Sequence, residues 1–188
     1  VEFSVPSEDR ISLLAEARAA VADALAGRAP RAVDPAGIFA RRAGVFVSFH
    51  LDGALRGCIG HPDGNQMLAT VVTQCAVAAA TGDPRFDPVS ESELDRCIIE
   101  ISVLGPISVV RDPGDIVVGR HGLIAEQGRR RGLLLPQVAV EYGWDREAFL
   151  ARTCGKAGLP ADAWKRGATI SCFEADVFDD AGAAWRRT

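Results

Sequence analysis

No two of the five cysteines form a C-x-x-C pair, and five is an odd number. That count fits neither a zinc framework nor the even disulfide pattern of a small secreted domain, so the thiols are read as reduced. Lysine is nearly missing: of 21 basic residues only Lys156 and Lys165 are lysine. With the abundant alanine, this reads as the coding bias of a GC-rich genome rather than as chemistry. No apolar run approaches the roughly 18–20 residues of a membrane span, and the longest, "VVTQCAVAAA", is broken by Thr73 and Gln74. The start "VEFSVPSEDR" lacks the basic head and apolar middle of a signal peptide. A basic stripe is absent too. Net charge is −4 and pI about 5.4, which argues against a nucleic-acid partner held by phosphate contacts. Neither G-x-G-x-x-G nor a phosphate-cradling GxxxxGK occurs. The expectation is a cytoplasmic protein with no membrane and no nucleic-acid partner.

What remains is ordinary globular material. The chain has 188 residues, 48% apolar and 24% charged, enough for one domain, with two lobes if the core divides. Ser7 is placed to cap a helix running to about Gly27, with Ile11, Leu14, Val21 and Leu25 on one stripe. "GVFVSFH" and "ALRGCIG" flank Asp52-Gly53, which predicts a hairpin closed by a two-residue type I′ turn. Asn65 is read as the cap of a helix carrying Met67, Leu68, Val71, Val72, Cys75 and Ala79, its N-terminus able to hold an anion. "DPRFDP" is read as turn chemistry, and Ser90 with Glu93 as a capping box. "RCIIEISVL" and "DIVVG" read as strands, and "HGLIAE" with "GLLLP" as a second hairpin. Helices follow from Pro136 and Asp145, then a last strand "ATISCFEADVF" and a polar tail from about 179. The run Arg129–Arg131 reads as a solvated hairpin tip, an anionic partner being the alternative. Hairpin-then-helix occurs twice, at 45–80 and 121–143. The expected class is α+β, a compact two-lobed single domain with a mixed, largely antiparallel sheet and packed helices.

Most cysteines explain themselves. Cys75, Cys97 and Cys154 fall on apolar stripes, where free cysteine acts as a small buried hydrophobe; Cys172 is ambiguous. Cys58 is different. A two-residue turn pairs Leu51 with Ala54, Phe49 with Arg56 and Val47 with Cys58, so Cys58 would share a face with Arg56, about 6–7 Å along the strand. A guanidinium there would favour the thiolate, the form that attacks electrophiles. Gly57 and Gly60 would leave room for a ligand. The competing reading lays Arg56 over Phe49 with its head in water and leaves Cys58 as filler. For a base there are three histidines. His61 follows Cys58 closely and would also serve a metal pair, though no second paired motif accompanies it. His50 reads as surface. His121, in "GRHGL", is compatible with a cleft edge, and Glu100 shares a strand face with Ser102, away from the apolar row.

In order, "LRGCIG", "DPRFDPV", "EISVL", "GRHGL", "GLLLPQVAVEYGWD" and "FLARTCGKAGLP" resemble the AMMECR domain family over roughly residues 10–178. The resemblance implies a two-lobed α+β fold with a cleft between the lobes, and an activity that is not settled. It implies company in prokaryotes with a Memo-like protein and a radical-SAM enzyme. Arg56, Gly57, Cys58, Ile59 and Gly60 match the motif most often suspected of function, and His121 matches another. The family commonly has threonine where this chain has His61, so a shared mechanism should not depend on that residue.

The expectation is therefore a small-molecule enzyme or enzyme component. Cys58 would be nucleophile or attachment point, Arg56 thiolate stabiliser or anion clamp, His121 general base and Glu100 its orienting carboxylate. Gly57, Gly60, His61 and Asn65 would line the ligand site. The sequence names no cofactor and no resident metal. A non-catalytic adaptor for a protein partner is the alternative.

Overall fold

In the computed structural model the described residues are 3–30 and 32–181. The chain divides into two units, one of Ser4–Leu104 with the chain from Asp176 on, the other of Gly105–Ala175 with the chain start up to Phe3. The architecture is α+β, as expected, with two antiparallel four-stranded sheets.

The first unit is built on β1 (Val45–Leu51), β2 (Ala54–His61), β3 (Ile98–Leu104) and β8 (Ala175–Asp179), in the order β2-β1-β3-β8. Val45, Val47 and Phe49 pair with Val103, Ile101 and Ile99, and all six are buried. This apolar face packs against helices α1 (Ser7–Leu25) and α2 (Leu68–Thr81). Burying each such side chain stabilises by about 1.5–3 kcal/mol. In α1 the buried stripe is Leu13, Leu14, Ala17 and Val21, while Ile11 is 68% exposed. Ile11 was expected inside because apolar periodicity ignores alanine, and Ala17 sets the true face. Ser7 lies within the helix and Pro6 is its N-cap, without a side-chain cap bond. Helix α2 likewise starts at Met67 without such a bond. Asn65 is not its cap, because the Asn65 side chain is turned to His61.

The turn between β1 and β2 behaves as expected: Asp52 and Gly53 have φ of 51° and 82°, both left-handed as a type I′ turn requires. The register does not. Leu51↔Ala54 and His50↔Leu55 hold, but a bulge then places Phe49 against Gly57 and Ser48 against Cys58. Arg56 is the extra residue. A two-residue turn fixes register only until the first bulge, and one inserted residue moves every later side chain to the other face.

In the second unit β4 (Ser108–Val109), β7 (Thr169–Phe173), β5 (Gly122–Gln127) and β6 (Arg130–Leu134) lie in the order β4-β7-β5-β6. Helices α4 (Pro136–Glu141) and α5 (Arg146–Lys156) follow, with Asp145 capping α5 through the Ala148 N–H. Their core holds Leu123, Ala125, Phe149, Leu150 and Cys154. Gln127 pairs with Arg130 and Glu126 with Arg131, so the arginine run does lie at an exposed hairpin tip. Two strand expectations are corrected. "DIVVG" forms no strand: after the 3-10 turn Pro113–Asp115, Ile116 drops into the core as an irregular anchor. "ATISCFEADVF" is two strands in different sheets, broken at Glu174. Its carbonyl accepts from the Gly105 N–H and its carboxylate from the Phe3 N–H and Arg120 Nε.

Candidate functional site

Strand β2 is an edge of its sheet, and an edge strand presents unpaired backbone groups that must be satisfied. Cys58 sits there, half-buried. Its N–H donates to Asp83 Oδ2 at 2.9 Å, and its carbonyl accepts from Arg85 Nη2 at 3.1 Å. Asp83 and Arg85 are themselves locked together, Nε to Oδ1 at 3.0 Å and Nη2 to Oδ2 at 2.7 Å, and the Arg85 N–H also reaches Oδ1 at 3.1 Å. Asp83 is 4% exposed, and a buried carboxylate is stable only when satisfied in this way. Thus "DPR" forms the turn read from the sequence and is also a clamp closed over the backbone of Cys58.

The electrostatics follow the geometry. Hydrogen bonds from the Arg85 side chain, against the cost of burial, hold the Asp83 carboxyl well below the usual carboxylate range, with the Cys58 and Arg85 N–H groups adding to the effect. The Arg85 guanidinium is raised above its ordinary value, first by Asp83. Charge on Cys58 is among the smaller causes. The guanidinium bonded to Cys58 is therefore that of Arg85, through the backbone carbonyl.

Arg56 has another task. Its Nε donates to Glu93 Oε1 at 3.1 Å, Nη1 to the Asp87 carbonyl at 2.5 Å and Nη2 to the Pro88 carbonyl at 3.2 Å. The bulge thus sends Arg56 to the far end of the "DPRFDP" segment and to helix α3 (Glu91–Leu94), whose capping box of Ser90 and Glu93 forms as expected. The Glu93 carboxyl is lowered to about 2, first by the Ser90 N–H and then by Arg56.

The room expected beside the glycines is filled by the chain itself. A Cβ on Gly57 would lie 2.0 Å from the Ala79 carbonyl oxygen of α2, and one on Gly60 would lie 2.0 Å from the Phe46 ring. Both glycines are required by close packing. His61 pairs with Val45 on the helix-facing side of the sheet, whereas Cys58 pairs with Ser48 on the other. Three residues apart on a strand means opposite faces, so Cys58 and His61 do not converge. His61 Nε2 lies 3.2 Å from Asn65 Oδ1 and 3.3 Å from Gln66 Nε2. Among the described residues no group of three His, Cys, Asp or Glu is arranged to hold a metal.

His121 belongs to the second unit. Its Nδ1 accepts the Val117 N–H at 3.2 Å, so the neutral ring carries its proton on Nε2 and offers a donor there. Glu100 is 9% exposed and shares its face with Ser102, as expected. Its register partner is Ser48, which in turn pairs with Cys58. His50, expected at the surface, is 5% exposed. Of the other thiols, Cys75, Cys97 and Cys154 are buried as expected, and burial pushes Cys75 up to about 11.

An edge-strand cysteine held by an Asp–Arg clamp, in a two-sheet α+β chain, is the arrangement carried by the motifs quoted from the sequence. Residues 14–178 match the AMMECR1 family, and the chain belongs to it. A protein of Methanosarcina barkeri is 47% identical over 148 residues, covering 76% of this chain and 73% of its own. Another, from Methanocaldococcus jannaschii, is 43% identical over 173 residues, covering 87% and 86%. The crystal structure of an uncharacterized protein from Pyrococcus horikoshii superposes with a TM-score of 0.83 at 39% identity, covering 90% of each chain. These relatives are archaeal. No helix among the described residues is long and apolar enough to cross a membrane.

Sequence reasoning missed Asp83 and Arg85. A signal was available: an Asp and an Arg two apart around Pro84, where an acidic side chain turned back onto its own backbone can hold the guanidinium.

Proposed function

We propose that this protein acts on a small electrophilic molecule through Cys58, as nucleophile or covalent attachment point. Arg85 takes the thiolate-stabilising place first considered for Arg56. The observation that carries the reading is the bonding of Cys58, its backbone N–H to Asp83 and its carbonyl to Arg85, which brings that guanidinium to the residue. A cation fixed by a buried carboxylate costs no reorganisation when charge appears on sulfur. Arg56 positions the segment that holds Arg85. Work in one pathway with a Memo-like or radical-SAM protein belongs to the same proposal.

The test is competitive labelling of the native protein with iodoacetamide at neutral pH, read thiol by thiol by mass spectrometry. Cys58 is expected to react well ahead of the others, and Cys58→Ala to fold yet fail to complement a deletion strain. Full complementation by a folded Cys58→Ala protein would remove the reading.

The packing of Gly57 and Gly60 against the chain's own atoms favours one alternative, a non-catalytic adaptor in which "RGCIG" is simply a tight hairpin arm. An adaptor gives no selective labelling and co-purifies with a protein partner.

A further inference from the structure

We propose that His50 is the general base of the Cys58 site and Glu100 the carboxylate that orients it, an inference that rests on Cys58 being the reactive thiol. The two faces of the first sheet differ sharply. Val45, Val47, Phe49, Ile99, Ile101 and Val103 make the helix-packed face of β1 and β3 apolar. The other face carries a transverse row, Cys58–Ser48–Glu100, set by the register of three adjacent strands. His50 follows Ser48 by two residues on β1, on that same face, and pairs with Leu55 and Ile98.

His50 is thereby diagonal to both Cys58 and Glu100. Diagonal neighbours in a regular antiparallel sheet are about 7–8 Å apart, within reach of long side chains; that spacing applies to Glu100, while the bulge at Arg56 lies between the His50 and Cys58 pairs. An imidazole can bridge that gap toward sulfur on one side and carboxylate on the other. Burial supports a task for these groups: His50 is 5%, Glu100 9% and Ser102 3% exposed. Ionisable residues so buried are normally paired, and a pair of them on one sheet face is a candidate for function. Among the described residues the titratable groups that the register sets diagonal to His50 are Cys58 on β2 and Glu100 on β3, and the Arg85–Asp83 pair bonds the Cys58 backbone.

The step is a proton transfer. The S–H bond of Cys58 breaks with its electron pair left on sulfur, and the proton forms an N–H bond on His50. Glu100 lies beyond the imidazolium and offsets its charge, and Arg85 offsets the thiolate. Neither His61, on the opposite face, nor His121, in the second unit, is required.

The experiment is iodoacetamide labelling of Cys58 in wild type, His50→Asn and Glu100→Gln at pH 7 and pH 9. A base contributes most where the thiol is not already ionised, so His50→Asn should slow Cys58 about tenfold or more at pH 7 and much less at pH 9. Glu100→Gln should act in the same direction, more weakly. Equal slowing at both pH values, or none, overturns the inference while leaving the reactive Cys58 standing. Absence of selective labelling in wild type overturns Cys58 itself. A second measurement keeps residue 50 intact: imidazole nitrogen NMR signals of wild type at pH 7, before and after Cys58 is blocked with methyl methanethiosulfonate. The His50 ring signals should change on blocking, because the S–H group the imidazole faces is gone; unchanged signals contradict the pairing.

Discussion

Replacing Gly57 by alanine tests the packing that holds the site in place. An added Cβ would stand 2.0 Å from the Ala79 carbonyl oxygen, where about 3.4 Å is ordinary contact, so strand or helix must move by about 1.4 Å. Neither can move freely. Ala79 is 1% exposed on a helix face that also buries Leu68, Val71, Val72 and Ala76, and β2 is laddered to β1, itself laddered to β3. Overpacking costs about 1–3 kcal/mol, and the upper end applies when both atoms belong to the backbone framework. For a chain of this size about 3 kcal/mol lowers Tm by about 6–12 °C. Urea denaturation supplies the free energy and calorimetry the Tm. Gly155→Ala in α5 is the control: nothing lies within 4 Å of its added Cβ, and alanine in place of a helical glycine should stabilise by about 0.5–1 kcal/mol. A Gly57→Ala protein within about 0.5 kcal/mol of wild type would refute the reasoning.

Asp83→Asn keeps the shape but loses the charge that faces Arg85 and the Cys58 N–H, and should cost about 1–3 kcal/mol in urea denaturation. The folded Asp83 carboxyl is depressed, so its contribution is full above the unfolded value near pH 4 and is lost as pH falls below it. The Asn variant should therefore lose less stability than wild type on acidification below pH 4, read as Tm against pH. Glu93, lowered to about 2, has the same sign. Its share disappears between about pH 4 and pH 2, and Glu93→Gln should flatten that part of the wild-type profile. Glu93→Gln should also loosen Arg56 and raise hydrogen exchange in the Asp83–Val89 segment.

Much of the fold was legible because it rests on local rules. The Asp52-Gly53 turn, the Ser90–Glu93 box and the Asp145 cap each depend on residues within four positions of one another. The core cysteines were legible from periodicity. What escaped depends on contacts distant in sequence. The bulge at Arg56 is stabilised by Glu93, Asp87 and Pro88, more than thirty residues away, and nothing in "ALRGCIG" announces it. That one residue reversed the face of Cys58, sent Arg56 away to Glu93, Asp87 and Pro88, and brought Cys58 into line with Ser48 and Glu100. His50 was misplaced for a related reason: strict alternation assigns it to a solvated face, whereas it is 5% exposed. Glu174 separates two strands of different sheets, a break invisible in an unbroken β-prone run.

The direct measurement is the alkylation rate of Cys58 relative to Cys172, the other half-buried thiol, in wild type and Arg85→Gln at neutral pH. The arrangement around the sulfur predicts that Cys58 reacts at least about tenfold faster than Cys172 and that removing the Arg85 cation abolishes most of that advantage. Equal rates for the two thiols, or a Cys58 advantage that survives intact in a folded Arg85→Gln protein, would contradict it.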